Sequence, residues 1–271
     1  MSQRTVFFVS DHSGVTAETL GHSLLTQFDG VAYRTVTVPF VSTADKAKQV
    51  VETINLTARA DGQMPLVFTT LVHNEVRDIL NGCDGFVLDL FGSFLGPMEG
   101  ELGVKSAHAM GRAHGIRDVA TYDRRIEATS FALTHDDGAN PGGYDEADVV
   151  LVGVSRSGKT PTCLYLALQY GVFAANFPLT EGELEHRSLT SRLSRHRDKL
   201  FGLTIGPARL EAIRSERTPG SRYASPAQVS FEIRQAEALF RKMGIPFLDT
   251  TRCSIEEIAS RILNEGDLRQ T

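Results

Sequence analysis

The sequence predicts an α/β protein in two domains, each built on a mostly parallel open sheet. Three observations carry this. Short strand-like runs recur at residues 5–9, 33–38, 66–70 and 86–90, and again from residue 149 onward. Stretches of helical length separate them, a rhythm that needs crossover connections and therefore parallel pairing with helices on both sheet faces. The cluster Asn140-Pro141-Gly142-Gly143 is the clearest breaker in the chain and predicts a boundary between domains at residues 1–140 and 141–271.

The elements follow in order. Residues 5–9 read as a buried strand ending in the polar turn Ser10-Asp11-His12-Ser13-Gly14, with a helix over 15–28. A strand at 33–38 is stopped by Pro39, Thr43 caps a helix reaching about residue 60, and Asp61-Gly62 turns into a third strand at 66–70. A helix over 73–80 and a strand over 86–90 are followed by a glycine-rich stretch, 91–97. Helices are expected over 105–114 and 122–133, the second ending at Thr134-His135-Asp136-Asp137-Gly138. His108 and His114 stand six residues apart, a poor spacing for one helical face, so they do not form a metal pair.

In the C-terminal part, residues 149–152 are a fully apolar, β-branched run of the kind that forms a buried parallel strand. Strands are expected at 173–177, 200–205 and 245–248. Helices are expected at 207–217 from Pro207, at 226–243, and at 254–263, where Ser254 and Glu257 have capping-box spacing. His186, Arg187, Arg192, Arg195, His196, Arg197 and Lys199 concentrate charge between two of these strands. They read equally as a basic cover over phosphates or as a solvated helix face.

Composition excludes little beyond the unusual. Of 271 residues, 41% are hydrophobic and 23% charged, as in ordinary globular proteins. A net charge of -5 gives no support to nucleic-acid binding. Cys83, Cys163 and Cys253 lie far apart with no metal-ligand spacing, and read as reduced. Neither a signal peptide nor a membrane span is recognisable, so a cytoplasmic location is expected, while homo-oligomerisation is left open.

The chemistry concentrates at residues 153–160. Gly153-Val154-Ser155-Arg156-Ser157-Gly158-Lys159-Thr160 fits the P-loop pattern G-x-x-x-x-G-K-[ST] in full, between an expected strand and an expected helix. A phosphate chain must lie against bare backbone, so the glycines supply close approach and unusual dihedrals, and the helix adds the positive end of its dipole. Lys159 brings a cation to the terminal phosphate, and the Thr160 hydroxyl suits one position on Mg²⁺. Pro161 is tolerated in the first turn, and Gly171 closes the helix. The second domain is thus kinase-like. No guanine-selecting Asn-Lys-x-Asp is present.

Two further polar groupings are candidates. Asp136 and Asp137, upstream of the loop, could bind Mg²⁺ or take a proton from an attacking hydroxyl, or could simply form a solvated turn. Asp11, His12, Ser13 and Thr16 lie beyond the carboxyl end of a strand, where open α/β sheets bind ligands, although the same residues would also make a well-capped turn. Asp249 ends the last strand and ranks below Asp136 and Asp137 as a metal-binding acid.

Taken together, residues 10–18, Arg125-Ile126-Glu127-Ala128, Phe131-Ala132-Leu133, His135-Asp136-Asp137-Gly138, residues 153–161, Ala174-Ala175-Asn176 and Pro178-Leu179-Thr180 make the chain resemble the pyruvate, phosphate/water dikinase regulatory protein family over nearly its whole length. It looks closer to the branch acting on phosphoenolpyruvate synthase than to the one acting on pyruvate, phosphate dikinase. The resemblance implies a bifunctional enzyme. In one direction ADP phosphorylates a threonine of phosphoenolpyruvate synthase and inactivates it, with Lys159 and the loop backbone holding the ADP β-phosphate and Asp136 or Asp137 orienting the threonine hydroxyl. In the other, inorganic phosphate accepts that phosphoryl group and pyrophosphate leaves. The turn at residues 10–18, as the other phosphate-sized polar pocket, is expected to serve this reverse reaction as a second phosphate site. An ATP-dependent small-molecule kinase and a non-catalytic nucleotide sensor fit the loop alone equally well.

Overall fold

A computed structural model of the chain describes residues 3–106 and 119–266. It is α/β throughout and forms two compact units, residues 1–117 and 118–271.

In the first unit the elements run β1 (Arg4–Val9), α1 (Val15–Leu25), β2 (Tyr33–Val38), α2 (Ala44–Asp61), β3 (Leu66–Thr69), α3 (Asn74–Asn81), β4 (Phe86–Asp89) and α4 (Gly92–Leu102). The strands form one parallel sheet in the order β2-β1-β3-β4, with Phe7 of β1 opposite Val36 and Val67. Strand alternation divides the core: Phe7 and Val9 pack with Ala47, Val50 and Ile54 of α2 and Val76 and Leu80 of α3, while Val6 and Phe8 face Ala17 and Leu25 of α1. The glycine-rich stretch expected at 91–97 is helical instead. Asp89 starts it, accepting from the Gly92 N–H at 2.8 Å and, through its carbonyl, from Ser93 Oγ at 2.7 Å. This local capping outweighs the poor propensity of Gly96 and Pro97.

The second unit comprises α5 (Val119–Thr134), β5 (Val149–Gly153), α6 (Lys159–Tyr170), β6 (Ala174–Pro178), α7 (Glu181–His186), α8 (Ser191–Ser194), β7 (Leu200–Thr204), α9 (Pro207–Arg217), α10 (Pro226–Met243), β8 (Phe247–Asp249) and α11 (Ile255–Glu265). Its sheet is again parallel, in the order β6-β5-β7-β8. Val149 and Leu151 bury against α5, α6 and α11, and Val150 and Val152 against the α7 and α10 side. The result is three layers, with β5 in the interior of the sheet.

The boundary expected near residue 140 falls inside this second unit. Ala128 and Ala132 of α5, spaced i and i+4, offer a flat face to Cys163, Leu166 and Ala167 of α6, and Arg124 Nε donates to the Gly171 carbonyl at 3.0 Å. Asn140-Pro141-Gly142-Gly143 turns the chain within one core, because turn residues report a reversal and not which core the flanking helix joins. The helix expected at 105–114, with His108 and His114, lies largely outside the described residues. Among the described residues no helix is long and apolar enough to cross a membrane.

Both sheets share one winding, and the turns at residues 10–14 and 153–158 leave the first strand of each at its carboxyl end. There neighbouring connections diverge to opposite faces, the place where open α/β sheets form ligand crevices. Ser13-Gly14-Val15-Thr16 and Ser157-Gly158-Lys159-Thr160 occupy equivalent positions. In each the glycine caps the helix in the left-handed region, at φ 85° and 93°.

Candidate functional site

All five residues of β5 are buried, so the loop that follows starts from a fixed point between β6 and β7. Gly153 lies flat on β7: a Cβ there would stand 2.3 Å from the Leu203 carbonyl oxygen. Gly153→Ala should therefore displace the loop and cut nucleotide affinity at least about tenfold, measured by calorimetry, with a stability loss of about 1–3 kcal/mol on chemical denaturation. At the far end Gly158, with φ 93°, caps α6 without any side-chain hydrogen bond. The first N–H groups of α6 thus stay available to an anion. Arg156, exposed at the crest, also has a positive φ of 75°, a conformation costing about 1–3 kcal/mol in a non-glycine residue.

Lys159 is only 4% exposed, and its Nζ donates to the Val154 carbonyl at 3.0 Å. Burial pushes its pKa down to about 8, against the opposing pull of Asp137, Cys163 and Asp136. The ammonium is therefore costly where it sits, and an anion in the loop would relieve that cost.

Asp136 and Asp137 belong to a short 3₁₀ turn, Asp136–Gly138, and are fixed by the fully buried Asn176 of β6. Asn176 Nδ2 donates to Asp136 Oδ1 at 2.5 Å, Asn176 Oδ1 accepts from the Asp137 N–H at 3.0 Å, and the Asn176 N–H reaches the His135 carbonyl at 3.2 Å. The same Asp136 oxygen accepts from Thr160 Oγ1 at 2.8 Å. The acidic pair and the loop thus meet in one cleft of about 520 Å³, lined by Asp136, Asp137, Ser155, Arg156, Gly158, Lys159, Thr160, Pro161 and Arg217. A hydroxyl and a carboxylate oxygen side by side form an all-oxygen donor pair suited to Mg²⁺, which takes few protein ligands and completes its shell with phosphate and water. Among the described residues no group of three or more His, Cys, Asp or Glu side chains converges on a metal position.

The loop is braced from behind by residues that no motif marks. Arg214, fully buried, donates to the Ser155 carbonyl at 3.1 Å, the Tyr223 carbonyl at 3.0 Å and Glu232 Oε2 at 2.6 Å. Its guanidinium carbon lies 4.0 Å from the centre of the Tyr223 ring, whose hydroxyl donates to Ser155 Oγ at 2.9 Å. Arg214→Met strands Glu232 and frees the loop, so a stability loss of about 3–5 kcal/mol is expected from denaturant titration. Only the helical spacing of Arg214 on α9 hinted that it faces inward.

Other expected residues lie elsewhere. Asp11, buried, holds the Val72 N–H at 2.9 Å, a structural duty within the first unit. His12 is exposed, and Ser13 and Thr16 are half-buried at the start of α1. Among the described side chains the basic stretch does not cover the loop: Lys199 binds the Tyr144 and Asp145 carbonyls at the amino end of β7, and Arg187 Nε donates to Gln235 at 2.6 Å. Among the described residues the cations lining the cleft are Arg156, Lys159 and Arg217, and Arg187, Arg195 and Arg197 are not part of its walls. Asp249 accepts from the Thr251 N–H at 2.9 Å and orders its own turn.

The sequence profile of the kinase/pyrophosphorylase family matches residues 6–263. A protein of Alcanivorax borkumensis is 54% identical over 268 residues, covering 99% of this chain and 98% of its own length. One from Stutzerimonas stutzeri is 54% identical over 263 residues, covering 97% of each, and one from Marinobacter nauticus 50% identical over 268, covering 99% of each. All three are named, provisionally, phosphoenolpyruvate synthase regulatory protein.

Proposed function

This chain belongs to the kinase/pyrophosphorylase family, and from that membership we propose that it regulates phosphoenolpyruvate synthase by reversible phosphorylation of a threonine, using ADP as donor. The observation that carries the reading is the meeting of Asp136, Asp137, Lys159 and Thr160 in one cleft. The relatives' names support the partner.

In the forward direction the β-phosphate of ADP lies in the Gly153–Thr160 loop, against the N–H groups at the start of α6. Lys159 gives up the Val154 carbonyl and neutralises charge on the transferring group. Asp136, with Thr160, would hold Mg²⁺, which when bound neutralises phosphate charge and aligns the nucleotide. That leaves Asp137, on the same rigid turn, to accept a hydrogen bond from the threonine hydroxyl and orient it in line. The oxygen of the hydroxyl bonds to phosphorus, the bond to AMP breaks, and the proton passes to Asp137 or solvent. Such loose transition states ask the protein chiefly for position and charge, which fixed groups on a buried framework supply.

In reverse, inorganic phosphate takes the phosphoryl group from phosphothreonine and leaves as pyrophosphate. The turn at residues 13–16, equivalent in its sheet to the loop of the second unit, is the candidate for the inorganic phosphate. Ser13→Ala is the informative variant there, since Asp11 is occupied with Val72. It should slow dephosphorylation while sparing phosphorylation; equal loss of both would place the two activities in a single site.

The function is tested by incubating purified phosphoenolpyruvate synthase with the protein and either ADP or ATP, then assaying the synthase. Loss of activity with ADP, restored by inorganic phosphate, is expected. Loss with ATP alone would remove the unusual donor. No loss with the synthase but loss with pyruvate, phosphate dikinase would move the target.

A further inference from the structure

We propose that the nucleoside portion of the bound nucleotide occupies a second, smaller cavity on the opposite flank of the same loop, at the carboxyl ends of β7 and β8. This rests on the reading of the loop as a nucleoside diphosphate site. The cavity measures about 180 Å³ and shares Arg156 and Gly158 with the phosphate cleft, so one ligand can reach both. Pockets that hold a whole drug-sized ligand measure about 300–1,000 Å³, so this one accommodates a part.

Its walls suit a flat ring with polar edges. Ile213 of α9 and Ile255 of α11 supply apolar surface, and Arg209, exposed on the first turn of α9, brings a guanidinium to the cavity for stacking on a base. The polar rim is already ordered. Thr250 Oγ1 donates toward the Ser157 carbonyl at 3.2 Å and the Thr204 carbonyl at 3.0 Å, tying the β8 exit to the phosphate loop. The Gly206 N–H donates to Thr251 Oγ1 at 2.6 Å, tying it to the β7 exit. With its proton so engaged, Thr250 is left as an acceptor, as a base amino group or ribose hydroxyl requires. A site held this way loses little entropy on binding.

Cys253 lines the cavity and is half-buried, while Cys83, also half-buried, lies in the first unit and serves as an internal reference. The test is the alkylation rate of each thiol in the intact protein with ADP, with pyrophosphate or with neither, alongside calorimetric affinities for both ligands. ADP should slow Cys253 at least about tenfold and pyrophosphate less than about twofold, with Cys83 unchanged. Ile213→Trp, which fills the cavity, should weaken ADP at least about tenfold while leaving pyrophosphate within about twofold. ADP that binds in the calorimeter yet leaves Cys253 at its free rate, or pyrophosphate that protects as well as ADP, overturns the subsite and leaves the phosphate loop standing. Failure of ADP to bind at all overturns the functional reading itself, and the subsite with it.

Discussion

Lys159→Met is expected to abolish nucleotide binding and at the same time to stabilise the ligand-free protein. Holding the pKa at about 8 when the ordinary lysine value is 10.5 means the buried ammonium is disfavoured at neutral pH by about 3 kcal/mol, at 1.36 kcal/mol per unit. Methionine removes that cost and loses a hydrogen bond to the Val154 carbonyl that contributes about 1–3 kcal/mol, so a small net gain remains. The pH dependence gives the sign. Between about pH 8 and 10.5 the unfolded chain holds a proton on Lys159 that the folded chain has released, so wild-type stability rises with pH across that window. The methionine variant should lack this rise. Added ADP should raise the wild-type melting temperature and not the variant's. Because bound phosphate favours the ammonium, ADP binding at pH 8–9 should take up a proton, read as a dependence of binding enthalpy on buffer ionisation. The uptake due to Lys159 should vanish near pH 6.5, where the side chain is already protonated.

The second large effect is expected at Asp136. Asp136→Asn preserves shape and leaves an oxygen to accept from Thr160 and Asn176, so the fold should survive; the missing charge falls on the proposed metal position. Phosphoryl transfer should fall about 10²–10³-fold, the scale of losing one electrostatic contact to a transition state, while ADP affinity measured without Mg²⁺ stays within about threefold. A parallel fall in metal-free affinity would assign Asp136 to the loop's architecture instead. Asn176→Ala should release the whole Asp136–Gly138 turn and lower transfer with no loss of charge.

Much of this was legible in the chain. The strand at 149–152, the glycines around Lys159 and the helix stop at Gly171 are local signals, and each has a local physical cause. The acidic pair was visible as chemistry but not as position: what brings it to Thr160 is Asn176, forty residues away on a neighbouring strand, and pairing register is not written locally. The boundary near residue 140 failed for the same reason, since the face carrying Ala128 and Ala132 finds its core through α6. Arg214 was signalled only by its helical spacing from Leu210, because a buried arginine reads as a surface one until Glu232 and Tyr223 surround it. The basic stretch erred in the opposite sense: its charges were conspicuous, and Lys199 satisfies the Tyr144 and Asp145 carbonyls while Arg187 pairs with Gln235.

The most direct measurement is label transfer to purified phosphoenolpyruvate synthase, comparing ADP labelled at the β-phosphate with ATP labelled at the γ-phosphate, for the wild type and Asp136→Asn. Threonine label from ADP alone, reduced at least about 100-fold in the variant, is the predicted result. Label from ATP alone, or no label from either nucleotide while ADP still binds, would contradict it.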